Sequence, residues 1–186
     1  MWRTEVGRLD PSRVVFVDEM GTHTSLALLY AYSPIGKRAF FKIPRNHGKN
    51  TTLLTSLHQG GMGPSMAVEG ATTSRVFETY VERLLAPALQ AGQVVVMDNL
   101  RAHKPKRIRE LIEERGCELI YLPPYSPDLN PIEEAFAKLK HILRKTCART
   151  KDALIEAMGR ALGAVSTEDV RGYFVHCGYR TPAQHL

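Results

Sequence analysis

Two short, fully apolar runs in this chain end in acids: Val14-Val15-Phe16-Val17 runs into Asp18-Glu19, and Val94-Val95-Val96-Met97 runs into Asp98. A carboxylate closing a buried strand has an ordinary use, capping the next turn or helix. Two such carboxylates at one sheet edge repel each other unless a cation sits between them. Hard divalent ions such as Mg²⁺ are held by one or two carboxylates, with water and substrate phosphates completing the shell. A third acid for such a site is available in Glu133 or Glu134, at the start of a helix behind a proline-rich loop. Glu133 has a competing structural use: with Asn130 as N-cap it occupies N3, where a Glu closes a capping box. Glu134 lies four residues before Lys138 and is placed to pair with it. Glu133 also stands one position beyond Ile132, at the edge of the apolar stripe, within reach of a crevice at the sheet edge.

The elements that would position these acids follow from apolar periodicity. The Val14 and Val94 runs read as buried strands, the first stopped by Asp18 and Glu19. Ser25–Tyr32 is ambiguous, Arg38–Ile43 is expected as a solvent-edged strand, and Asn50–Leu57 and Ser65–Glu69 are expected as strands joined across Gln59–Pro64. A helix is expected from an N-cap at Thr73 or Ser74 to Pro87, a second over Lys104–Arg115 closed by Gly116, and a short strand over Glu118–Leu122. Four prolines between Pro123 and Pro131 specify a rigid loop, after which Ile132, Phe136, Leu139 and Leu143 form one helical stripe. Two further helices are expected over Lys151–Gly163 and Thr167–Val175. The pattern specifies an α/β layer fold with a mixed central sheet flanked by helices. In such sheets the carboxyl ends of neighbouring strands open onto one crevice, so Asp18 and Asp98 can meet across 79 intervening residues.

With 186 residues, 44% of them hydrophobic and 24% charged, the chain has the size and composition of one globular domain, not of a disordered or fibrous protein. No apolar run reaches membrane-spanning length and the first residues lack a signal-peptide pattern, so a soluble chain is expected. Cys117, Cys147 and Cys177 have neither disulfide-framework nor zinc-site spacing and are expected to be reduced and mostly buried. No phosphate-binding glycine motif follows any strand, which leaves a mononucleotide-binding role without support. The net charge is +6, and its distribution is uneven. Met20 to Val68 contains no acid but carries Lys37, Arg38, Lys42, Arg45 and Lys49, making it a candidate phosphate-backbone surface. Basic residues also cluster from Arg101 to Arg109 and from Lys138 to Lys151, where solvated helix faces are the alternative explanation.

Three segments carry a family resemblance: Val15-Phe16-Val17-Asp18-Glu19-Met20-Gly21, then Val95-Val96-Met97-Asp98-Asn99-Leu100-Arg101-Ala102-His103-Lys104, then Leu122-Pro123-Pro124-Tyr125-Ser126-Pro127-Asp128-Leu129-Asn130-Pro131-Ile132-Glu133-Glu134. In order and wording they resemble the three acidic motifs of mariner-like bacterial insertion-sequence transposases, which are DDE-type endonucleases with a ribonuclease H-like fold. The 34 residues between Asp98 and Glu133 match the Asp-Asp-Glu branch of that family, and the likeness runs from about Arg13 to Arg149. Met20 stands where a Thr is common.

The resemblance implies a ribonuclease H-like catalytic domain over residues 1–149, with residues 150–186 as its C-terminal helical extension. It further implies that Asp18, Asp98 and Glu133 are the catalytic, metal-binding triad for two Mg²⁺ ions, with Mn²⁺ as an expected substitute. The implied reactions are metal-dependent cleavage of DNA at the element ends and strand transfer by 3′-hydroxyl attack. Double-stranded DNA is the expected partner, as terminal repeats and target, contacted by Lys37, Arg38, Lys42, Arg45, Lys49, His103 and Lys104. His103 and Asn130 match motif positions without a derivable catalytic role. A homodimer when active, a cytoplasmic, nucleoid-associated location and no membrane partner are also expected. Relatives carry helix-turn-helix modules ahead of this domain, whereas here about a dozen residues precede the first strand. A catalytic half is therefore expected, with a companion helix-turn-helix product from an overlapping frame or a truncated copy as its origin. The alternatives are another ribonuclease H-like nuclease, or an inactive or repurposed DNA-binding fragment.

Overall fold

A computed structural model describes residues 9–46, 48–100, 105–124 and 126–179. Its centre is a five-stranded sheet built from β1 (Val14–Thr22), β2 (Thr51–His58), β3 (Gly61–Glu69), β4 (Val94–Met97) and β5 (Glu118–Tyr121), ordered β3-β2-β1-β4-β5. β1, β2 and β3 form an antiparallel meander, while β4 lies parallel to β1 and β5 parallel to β4. The longer helices among the described residues are α1 (Ser74–Tyr80), α2 (Lys106–Glu113), α3 (Pro131–Thr146), α4 (Lys151–Gly163) and α5 (Thr167–His176). Among the described residues no helix is long and apolar enough to cross a membrane.

Alternation along the strands divides the core in two. Val15, Val17, Val95 and Met97 face Phe77, Tyr80, Ile108 and Ile112 of α1 and α2. Val14, Phe16, Met20, Val94 and Val96 face the apolar stripes of α3, α4 and α5. Successive strand residues point to opposite faces, so Asp18 and Asp98 share the parity of the second set and point toward α3. The Phe16 ring anchors that side, edge-on to Phe174 at 5.4 Å and to Tyr179 at 5.0 Å.

Several boundaries differ from expectation, each for a local reason. β1 does not stop at its acids. Its ladder with β4 ends at Val17–Met97, but on the other side it continues with β2 through Asp18↔Thr55 to Thr22↔Thr51. β3 absorbs Gly61, Gly63 and Pro64 of the expected connection, leaving only Gln59-Gly60 as the turn. It can do so because it is an edge strand, where a proline's missing N–H leaves no partner wanting. α1 passes into a π-helical stretch, Val81–Leu85, in which the Ala86 N–H reaches Val81 O. Pro87 follows, and a proline ring displaces the carbonyl four residues back, which the wider turn accommodates. α2 starts later than expected, at Lys106 after Pro105, and ends before Gly116, whose φ of +69° suits glycine. The loop before α3 contains one 3₁₀ turn, Pro127–Leu129.

The largest correction concerns the expected strand over Arg38–Ile43. Among the described residues of 23–50 there is neither helix nor strand. Phe40 is 87% exposed, with Phe41 and Ile43 also exposed, so the run has β propensity but no neighbouring ladder or face to bury against. The base of this long loop is nevertheless fastened. Ser25 Oγ donates to Pro44 O at 2.8 Å, and the Arg149 guanidinium, between α3 and α4, donates to Thr24 O and Leu26 O at 2.8 and 2.9 Å while lying over the Phe41 ring.

α4 and α5 contribute Leu154, Met158, Val170 and Phe174 to the same core as β1 and α3. α5 starts at a capping box between Ser166 and Asp169, and Asp169 also takes a hydrogen bond from Lys138 of α3. Lys138 first, then Ser166, hold the Asp169 carboxyl down at about 2. A depressed carboxyl stabilises the fold above its unfolded value of about 3.8 and ceases to do so as pH falls through the folded value. Asp169→Asn is therefore expected to lower thermal stability at neutral pH, with the difference from the parent protein vanishing between about pH 4 and pH 2 in melting curves.

Candidate active site

The parallel register that pairs Val17 with Met97 brings the following residues, Asp18 and Asp98, side by side at the carboxyl ends of β1 and β4. Asp18 is 5% exposed. Its Oδ1 accepts the Glu19 N–H at 2.7 Å, and its Oδ2 accepts the Asn130 side-chain amide at 2.8 Å. Asp98 is half-buried, and its Oδ1 accepts the Leu100 N–H at 3.2 Å. Glu133 is exposed on the first turn of α3, where the partial positive charge of the helix start favours a carboxylate. The three acids line one cleft of about 420 Å³, together with Asn99, Ser126 and Asn130.

The capping box expected at α3 does not form. Asn130 has the extended backbone of an N-cap but makes no side-chain cap bond, and its N–H donates to Pro127 O. Its side chain is turned into the site instead. Glu134 is likewise not paired with Lys138. It hydrogen-bonds His176 at the end of α5, while Lys138 goes to Asp169. The Tyr179 hydroxyl adds a third clasp, donating to Leu129 O at 2.8 Å. The chain end thus fixes the loop and helix turn that present Asn130 and Glu133. Strand parity turns Glu19 away from the face that Asp18 occupies.

The donor set suits a hard cation. Asp18, Asp98 and Glu133 offer only oxygen, the preference of Mg²⁺ and Mn²⁺ over softer ions. Among the described residues no three His, Cys, Asp or Glu are gathered tightly enough to hold an ion by themselves. The three cysteines are free. Cys177, beside Glu134, has its thiol pushed up to about 12, first by burial and then by that carboxylate, so it stays a neutral thiol.

The residues expected to contact DNA fare unequally. Lys37, Arg38, Lys42 and Arg45 are exposed on the loop after β1. Lys49 forms an ion pair with Glu69 at 3.4 Å. His103 and Lys104 lie outside the described residues. The basic cluster of α2 is largely balanced by its own neighbours: Lys106 pairs with Glu110, Arg109 with Glu113, and Arg107 with Glu82 and Glu114. In the later cluster Lys138, Arg149 and Lys151 are committed to Asp169, loop carbonyls and Glu69.

Residues 13–155 match the family model of the DDE superfamily endonucleases. The chain belongs to this family. The transposase of transposable element Tcb1 from Caenorhabditis briggsae is 28% identical over 140 residues, covering 69% of this chain and 51% of that protein. The chain thus spans about half the length of that curated relative. Among solved structures, the catalytic domain of Mos1 mariner transposase superposes with a TM-score of 0.69 at 19% identity, covering 96% of this chain and 84% of that one. The mariner Mos1 paired-end complex with Mg gives 0.70 at 17% identity, covering 95% and 56%. The fold of this DDE superfamily chain is accordingly ribonuclease H-like.

One residue pair beside the site is coupled through a hydrogen bond, His176 with Glu134. The Glu134 carboxylate raises the pKa of His176 above its usual 6.5, first through the hydrogen bond and then through charge. A raised imidazole stabilises the fold fully below the unfolded pKa and loses that contribution as pH rises through the folded value. Titration of the His176 ring by NMR should show a midpoint above 6.5 that falls back toward it in Glu134→Gln.

Proposed function

We propose that this chain is the catalytic domain of a transposase that cuts DNA at element ends and joins the freed 3′ ends to a target, with Asp18, Asp98 and Glu133 as its metal-holding acids. The observation carrying this reading is the convergence of all three on one cleft, two of them at matched positions of adjacent parallel strands. Bound there, Mg²⁺ or Mn²⁺, expected as two ions, supplies an activated oxygen nucleophile and relief of charge at phosphorus and at the leaving oxygen. Asp18, Asp98 and Glu133 would hold the metal through carboxylate oxygens, the donors such hard ions prefer. The backbone N–H groups of Glu19 and Leu100 orient Asp18 and Asp98 before substrate arrives. Glu133 stands at the cleft edge, on the first turn of a helix fixed by its contacts with α5. No side chain is needed as a covalent nucleophile.

DNA would be gripped chiefly through the loop after β1. The loop leaves the sheet beyond Thr22, four residues past Asp18 or about 13 Å at the rise of a strand, on the carboxyl side where the acids lie. Its Lys37, Arg38, Lys42 and Arg45 are exposed, whereas the basic residues of α2 are offset by nearby acids. Such contacts address phosphates and carry little sequence information. Recognition of terminal repeats would then rest on contacts other than these.

The deciding experiment incubates the chain with Mg²⁺ or Mn²⁺ and DNA bearing the terminal repeats. Asp98→Ala and Glu133→Ala are expected to lose cleavage by at least about 10³-fold, the scale of losing a group on which the chemistry depends. Equal cleavage by parent and variants would exclude the triad, and cleavage without joining would identify a nuclease of the same fold instead. Binding to duplex DNA should weaken steeply with salt. Four phosphate contacts correspond to a log–log slope of about −3.6, and Lys42→Ala should make it shallower by about 1 whatever the sequence.

A further inference from the structure

We propose that Asn130 is a positioning residue whose side-chain amide holds the Asp18 carboxylate in the orientation of a metal ligand, an assignment that rests on the triad reading above. Asn130 occupies the position before α3 where an Asn ordinarily caps the helix, yet it makes no side-chain cap bond. Its side chain instead crosses 112 positions of sequence to reach Asp18 Oδ2 at 2.8 Å. Only the amide NH₂ can make that contact, because an ionised carboxylate has no proton to donate. Both partners are almost fully buried, Asn130 at 4% and Asp18 at 5% exposure. A buried polar pair of this kind is costly to leave half-made, so its geometry is strongly specified.

Three features make the amide suited to this task. With the Glu19 N–H on Oδ1 and Asn130 on Oδ2, each carboxylate oxygen carries a directed donor, which fixes rotation about the Cβ–Cγ bond. The amide is neutral, so it orients the carboxylate without supplying a competing positive charge, as a lysine or arginine in its place would. Finally, the same residue reaches the third acid. The Asn130 carbonyl accepts the Glu133 N–H at 3.0 Å, so one residue ties Asp18 through its side chain to the helix turn bearing Glu133 through its backbone. Partners that orient metal ligands in this way typically account for tenfold to a hundredfold in metal affinity.

The test is Mn²⁺ titration of the full chain by electron paramagnetic resonance, without DNA, for the parent protein, Asn130→Ala and Asp98→Ala, with melting curves in EDTA as the control for folding. Asn130→Ala is expected to bind Mn²⁺ about tenfold or more weakly, and its cleavage rate should recover at saturating Mn²⁺, which a merely structural defect would not allow. Asp98→Ala should not recover. Unchanged Mn²⁺ affinity in Asn130→Ala, beside a loss in Asp98→Ala, overturns the positioning role and leaves the triad standing. Unchanged affinity in Asp98→Ala overturns the triad itself and this role with it. Should Asn130→Ala fail to fold, the unsubstituted protein decides. The Asn130 side-chain NH₂ resonance must shift as Mg²⁺ is added, and a resonance that stays still through saturation overturns the proposal.

Discussion

The parallel pairing of β1 with β4 is the constraint on which the site depends. Residues opposite each other in a parallel ladder point to the same face, so the Val17–Met97 register places Asp18 and Asp98 together on the side covered by α3. A slip of one residue in either strand would send its acid to the α1–α2 face and its apolar neighbours to the wrong core. The same hydrophobic alternation that sorts Val15 from Phe16 therefore holds the two carboxylates in place. Both acids are oriented by directed donors, a backbone N–H on each and an uncharged amide on the more buried one.

The third acid is held by different means. α3 is long and its stripe docks on the sheet, but its first turn follows a proline-rich loop that enters the core through Leu129. That turn is secured from the chain's end, by Tyr179 on Leu129, His176 on Glu134 and Asp169 on Lys138. The last two helices thus do more than fill the core. They set where Glu133 stands relative to two strands formed more than a hundred residues earlier for β1 and some thirty-five earlier for β4.

Much of this was legible in the amino-acid sequence because periodicity and acids coincide. Two buried-strand patterns ending in Asp, and a helix start carrying Glu133, specify a convergent site once the sheet is mixed. What was not legible arose from partners distant in sequence. β1 runs past its acids because β2 is present on its other side, a pairing that the Val14–Val17 run does not encode. Arg38–Ile43 has strand-forming residues but no strand to join. Asn130 reads as an ordinary N-cap until Asp18 is placed beside it, and Glu134 reads as a partner of Lys138 until α5 offers His176. The basic clusters were visible as composition, but which cations were already balanced depended on helix faces and on Glu69 at the far end of β3.

Fastening the loop after β1 at its root has an evolutionary corollary. With Ser25 joined to Pro44 and Arg149 holding the carbonyls of Thr24 and Leu26, whatever happens toward the tip is insulated from the strand that carries Asp18. Once ends are pinned, doubling a flexible loop costs only about 0.6 kcal/mol in closure entropy. Insertions and exchanges of side chain at the tip are thus almost neutral for folding, and a lineage can change the basic side chains there without disturbing the acids beneath.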